Sequence, residues 1–197
     1  TINFYEHMLI VEGEMAKRIA SELTRHAPFI AFGALTGIII MVIVILCNVP
    51  SGTSEPVFYT LHPLHVVLSA MVTTAMYRRY SRGKIWVAIL IGYTGSIGIA
   101  TLSDSIIPYL GEVLLRFPNP GIHIGFIEKW WLVNPLALTG IAIGYWRPAT
   151  RFPHAGHVLL STWATLNRMS MALQGTPNWL LLPVIFLFLF LAVLIPC

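Results

Sequence analysis

The stretch H-P-L-H-V-V-L-S-A-M-V-T, from His62 to Thr73, returns without a gap as H-A-G-H-V-L-L-S-T-W-A-T, from His154 to Thr165. Both copies read H-x-x-H-V-x-L-S-x-x-x-T, and each opens an apolar run. A second echo precedes each copy in the same order: A-L-T-G-I at Ala34–Ile38 and again at Ala137–Ile141. Two echoes in one order indicate a duplicated unit, and duplication inside a small apolar chain is a usual skeleton of transport pathways.

Composition sets the solvent. Of 197 residues, 56% are hydrophobic and only 10% charged, and the mean hydropathy is +0.76. Soluble domains carry about 25% charged residues, so this composition belongs to a bilayer. A crossing helix takes roughly 20 apolar residues. Six candidates follow, at about Pro28–Cys47, Leu61–Tyr77, Ile85–Ile107, Trp130–Trp146, His154–Met171 and Trp179–Ile195. They consume nearly the whole chain and leave no room for a soluble catalytic module. The first residues are polar and of mixed charge, which is not the apolar core of a cleavable signal.

The net charge of +4 is informative through its placement. Lys17, Arg18 and Arg25 precede the first span, Arg78, Arg79, Arg82 and Lys84 fill the link after the second, and Arg147 and Arg151 fill the link after the fourth. Six spans put all of these on one side. Basic links mark the cytoplasmic side, so both termini are expected there. No soluble basic face exists to hold nucleic acid. Cys47 and Cys197 close apolar runs and form no C-x-x-C pair, which supports neither a disulfide framework nor a thiolate metal site.

Before the first span, apolar residues recur at Met8, Val11, Met15, Ile19 and Leu23, the spacing of one helical stripe. Residues 1–27 are therefore expected as an amphipathic surface helix. Residues 28–107 form the first three-helix repeat, 108–129 an outer loop, and 130–197 the second repeat. The copied motif opens the second and fifth spans. Three spans per repeat is an odd number, so the second copy is inverted relative to the first. The expected fold is an all-α polytopic membrane protein of about six helices in two inverted repeats, with a site near the midplane.

Within each copy the polar positions fall at i, i+3, i+7 and i+11, one face of a helix. They are His62, His65, Ser69 and Thr73 in the first copy and His154, His157, Ser161 and Thr165 in the second, with Arg168 continuing the line. Such a face avoids lipid and turns to the interior or a wet cavity. Ser and Thr also serve as interhelical glue, so the four hydroxyls read equally as packing or as lining of a path. Imidazole is the commonest ligand for transition metals. Zinc or a similar divalent ion takes about four ligands from His, Asp or Glu where Cys is absent. His62, His65, Asp104, Glu112, His123 and Glu128 are expected at the outer side. His154 and His157, with His26 as a neighbour, are expected at the cytoplasmic side. Asp104 lies in S-D-S-I-I-P, where the helix is expected to stop at Pro108. Haem is disfavoured, because inverted repeats would set His65 and His157 at different depths.

The segment W-R-P-A-T-R-F-P-H-A-G-H, from Trp146 to His157, resembles the membrane phosphatases of the phosphatidic acid phosphatase type in Arg147-Pro148 and Gly156-His157. That family has a serine before its Gly-His and a later nucleophilic histidine. Here Ala155 stands before Gly156, and no histidine follows His157, so the family is rejected. The expected function is transport of a small ion, a divalent metal cation first, along the second and fifth spans. His62 and His65 would serve as outer ligands, His154 and His157 as inner ones, and Asp104 as the attracting charge. The partners are the lipid bilayer, the ion and a second copy of the chain, since six spans enclose little space. The alternative is a metal-dependent membrane enzyme whose site is built from the outer His, Asp and Glu.

Overall fold

The computed structural model describes residues 4–47, 50–81, 83–148, 151–173 and 179–196, and most side chains of 4–26 and those of 51 and 151–153 lie outside that description. The expected stripe from Met8 to Leu23, the His26 side chain, Arg82, the Arg151 side chain, Cys197 and the link 174–178 therefore lie outside the described residues.

The chain is all-helical, with no strand among the described residues. Its helices are α1 (Phe4–Leu46), α2 (Ser54–Tyr80), α3 (Ile85–Thr101), α4 (Ile107–Leu114), α5 (Gly125–Glu128), α6 (Trp130–Trp146), α7 (Arg151–Leu173) and α8 (Leu182–Leu194). The surface helix and first span expected from the sequence form one continuous helix, α1, which runs through Pro28. A proline costs a helix one donor but does not compel a break when packing holds the flanking turns.

Three segments are long and apolar enough to cross a membrane: Ala27–Leu46, Ser54–Tyr80 and Ile85–Leu114. They suggest a membrane protein. The segments expected as the other three spans are weaker by that measure. The helix α6 has 17 residues, Trp179–Leu194 is a shorter apolar helix, and α7 carries the polar motif along its length.

Direction follows from side-chain contacts. A short link joins α2 to α3, and the two pack side by side, so they run antiparallel. Ser161 of α7 bonds Asp104 just beyond α3, and Arg168 bonds Glu112 of α4. Hence α7 runs in the direction of α3 and α4, and antiparallel to α2.

The helices pack in two layers. In one, Val66 of α2, Ile97 and Ala100 of α3, and Val133 and Ala137 of α6 share a core. In the other, Ala34 and Met41 of α1 pack with Leu166, Met169 and Ala172 of α7 and with Ile185 and Leu189 of α8. The motif helices α2 and α7 meet between the layers. In lipid there is little hydrophobic drive between helices, so close contact relies on small residues. The A-L-T-G-I echoes supply them. A Cβ at Gly140 would lie 2.4 Å from the Val67 carbonyl oxygen and 2.9 Å from the Ala70 Cβ. At Gly37 it would meet Leu166 at 3.6 Å.

The α2–α6 contact therefore depends on backbone touching backbone, which cannot yield as a flexible side chain can. We expect Gly140→Ala to cost about 1–3 kcal/mol through overpacking. Gly98, with open space around it, is the control: Gly98→Ala should hold or raise stability by up to about 1 kcal/mol through helix propensity. Thermal unfolding of the two variants in detergent reads the difference, and equal melting temperatures would refute the tight crossing.

Candidate functional site

The helix α3 does not end where S-D-S-I-I-P suggests. It loosens into a π turn over Leu102–Ile106 and then continues as α4 through Pro108. The π register is visible in the Ile107 amide, which bonds the Leu102 carbonyl. Its cost falls on Ser103. In the α register the Ser103 carbonyl would receive the amide of residue 107, now spent on Leu102. In the π register it would receive that of residue 108, and Pro108 has none. The Thr165 hydroxyl donates to this carbonyl instead, at 3.0 Å. Single-turn π insertions occur often at functional sites.

The π turn carries Asp104 into the middle of the molecule, fully buried. Its carboxylate collects four side-chain donors. The Nδ1 atoms of His62 and His65 approach Oδ2 at 2.9 and 2.8 Å. The hydroxyls of Ser103 and Ser161 donate to Oδ1 at 2.6 and 2.8 Å. An ionised carboxylate only accepts, so both Nδ1 atoms must carry protons, and each Nε2 is left to face outward from the acid. The His65 Nε2 is buried with no hydrogen-bond partner.

From this centre the imidazoles continue. The His65 ring stacks on that of His157, with centroids 5.8 Å apart and planes 14° from parallel. His157 in turn meets His154 edge-on at 4.9 Å. The sequence predicts different depths for His65 and His157, whereas the structure brings their rings together. His65 lies about three turns into α2 and His157 nearly two turns into α7. Their rings nevertheless meet, so the two antiparallel helices are offset along their axes. On its other side His62 is pressed against Gly125, where a Cβ would come within 2.4 Å of the ring.

The other expected site residues divide. His123 and Glu128 do not join Asp104. They form a second, half-exposed cluster, with His123 Nδ1 at 3.1 and 3.2 Å from the two Glu128 oxygens. The Tyr59 hydroxyl donates to Glu128 and lies 3.4 Å from His123 Nδ1. Tyr59 also lines a cleft of about 340 Å³ with Glu55, Pro56, Thr60 and Lys129.

The hydroxyls of the two motif copies also divide. Ser161 and Thr165 hold the acid and its turn, whereas the Thr73 hydroxyl bonds the Ser69 carbonyl within its own helix. Arg168, which continues the polar line of α7, pairs with buried Glu112 at 3.2 Å. The same Glu112 oxygen accepts the Gly121 amide at 3.2 Å. Among the described residues no three His, Cys, Asp or Glu side chains stand as a preformed metal-ligand set, since both imidazoles spend Nδ1 on the acid.

Sequence reasoning missed the π turn and the role of Thr165 as its cap. The signal was present in Pro108, five residues beyond Ser103, but it reads as a helix stop until the chain beyond is seen to continue. No protein-family model matches this sequence, and comparison with curated proteins and with solved structures finds no match.

A hydrogen bond to a buried charge contributes about 1.5–3 kcal/mol. Ser161→Ala should therefore cost about that much stability. Ser69→Ala, at the matching position of the first copy, removes no side-chain bond to the acid and should leave stability unchanged or higher. Chemical or thermal unfolding of both variants checks this, and equal losses would argue against an asymmetric acid centre.

Proposed function

We propose that the chain is a multi-pass membrane transporter for a small cation, a divalent metal first, that moves past the Asp104 centre between α2 and α7. The observation that carries this reading is the buried Asp104 carboxylate holding two imidazoles by Nδ1. Metal-binding histidines commonly give their second ring nitrogen to a carboxylate, which fixes the tautomer and raises the basicity of the other nitrogen. His62, His65 and His157 would offer nitrogen to a passing ion. Asp104 would compensate its charge, and His154 would continue the line toward the basic end. His123 and Glu128 would receive the ion first, at the mouth of the Tyr59 cleft.

Packing supports an inverted repeat. Let α1, α2 and α3 exchange places with α6, α7 and α8. The contact of α1 with α7 becomes that of α6 with α2. The contact of α1 with α8 becomes that of α6 with α3, and that of α2 with α3 becomes that of α7 with α8. All of these contacts occur, and α2 with α7 maps onto itself. His65 and His157 are equivalent positions of the motif, and they touch each other. Equivalent groups related by a two-fold axis can meet only on that axis, which in this architecture lies in the membrane plane at the substrate site. Six spans, with α6, α7 and α8 crossing beside the three longer segments, and cytoplasmic termini complete the proposal. A second copy of the chain would help to enclose the path.

One observation favours the alternative, a metal-dependent membrane enzyme. Asp104 has no acidic counterpart in the second half, since no Asp or Glu follows Glu128. A centre built on one half suits a fixed reaction site.

Flux of Zn²⁺ or Mn²⁺ into proteoliposomes separates the readings. We expect the native chain to conduct, and His65→Ala and His157→Ala to lose flux alike. Asp104→Asn should weaken metal binding roughly 10–100-fold, as loss of an outer-shell partner does. Unchanged flux in both histidine variants removes the transport reading. Metal bound tightly by the native chain without any flux favours the enzyme.

A further inference from the structure

The basic end of the molecule carries a groove that the ion path does not use. It opens between α3 and α6 and measures about 160 Å³. Ile85 and Ile89 form one wall, and Leu138, Ala142, Tyr145 and Trp146 the other. These positions belong to the start of α3 and the finish of α6, the opposite end of α3 from Asp104. Ile85, Ile89 and Leu138 are exposed, so the groove and its rim form one continuous hydrocarbon-compatible surface.

Cations crown this groove. The Arg78 guanidinium carbon sits 4.1 Å from the centre of the Tyr145 ring, a cation–π distance. Lys84 immediately precedes Ile85, Arg147 immediately follows Trp146, and both are exposed. Among the described residues none of Arg78, Lys84 and Arg147 has a carboxylate partner. The sequence offers none nearby, because residues 71–103 and 129–197 contain no Asp or Glu. Exposed Tyr80, Trp86 and Trp146 ring the same end, and such aromatics settle at the headgroup level of a bilayer.

We infer that this groove is a binding site for an anionic phospholipid, with an acyl chain along Ile89 and Ala142 and the phosphodiester among Arg78, Lys84 and Arg147. An apolar slot beneath cations that no described carboxylate meets fits a molecule with one apolar and one anionic part. Basic pockets between membrane helices on the cytoplasmic side bind anionic headgroups in this way. A soluble acidic partner would meet the cations but leave the slot open to water.

Native mass spectrometry of the full chain tests the site, with phosphatidylglycerol and phosphatidylcholine of identical acyl chains as probes. The native chain should retain phosphatidylglycerol preferentially. Each cation near a headgroup favours an anionic lipid by a factor of about five, so Arg78→Ala should reduce the preference about fivefold, and Arg78→Ala with Arg147→Ala should reduce it roughly 25-fold. Ala142→Phe fills the slot and should lower retention of both lipids. If Arg78→Ala does not give monodisperse protein, Lys84→Ala with Arg147→Ala, both at exposed positions, replaces it. Equal retention of the two lipids by the native chain overturns the inference. So does a preference untouched by the charge variants, or displacement of the lipid by inorganic phosphate at equal headgroup concentration.

Discussion

A carboxylate removed from water must be met by donors or surrender its charge, because an uncompensated buried ion costs several kcal/mol. Asp104 is the point at which this molecule meets that requirement, and much of its interior is arranged around it. The donors come from three separate stretches of chain: His62 and His65 from α2, Ser161 from α7, and Ser103 from the π turn itself. Those stretches are thereby fixed in register, since a shift of one residue on either motif helix would turn its donors away from the acid. The layers on either side then close over this register, with glycines at the crossings where helix backbones touch.

The π turn adds a second constraint of the same kind. Moving Asp104 inward leaves the Ser103 carbonyl without a helical donor, because Pro108 cannot supply one. The orphan is satisfied from α7 by Thr165. Two successive polar positions of one motif copy, Ser161 and Thr165, thus serve a side chain and a carbonyl that neighbour each other in the π turn. The copied motif is used unequally: in α2 the histidines hold the acid and Thr73 bonds its own helix, while in α7 the hydroxyls hold the acid and His157 stacks on His65. Buried networks of this type are costly when incomplete, and Ser161 and Thr165 complete this one.

Much was legible from composition and spacing. An all-helical chain, helices long and apolar enough to cross a membrane, and a polar face at i, i+3, i+7 and i+11 follow from counts that tertiary contacts do not alter. The association of His62 and His65 with Asp104 was also within reach, because a short hairpin between α2 and α3 returns Asp104 to their level. The convergence of His157 on His65 was not. It depends on how far each motif sits inside its helix, and Pro28 and Pro108 each suggested a boundary where the chain continues as helix. The separation of His123 and Glu128 from Asp104 was hidden for a similar reason, since the path of residues 115–129 over the helix ends has no periodic signal.

The sequence by itself determined the helical class, the apolar character of the helices and which residue types could carry charge or bind a cation. These are properties of side chains one at a time, or at fixed helical spacing, and they survive any arrangement of the helices. Tertiary structure alone decided which groups share a proton or a contact. Asp104 met Ser161, Arg168 met Glu112, and His65 met His157 because each buried polar group had to find a partner at its own depth. Depth is set by packing between helices that are distant in the chain, and no local pattern records it.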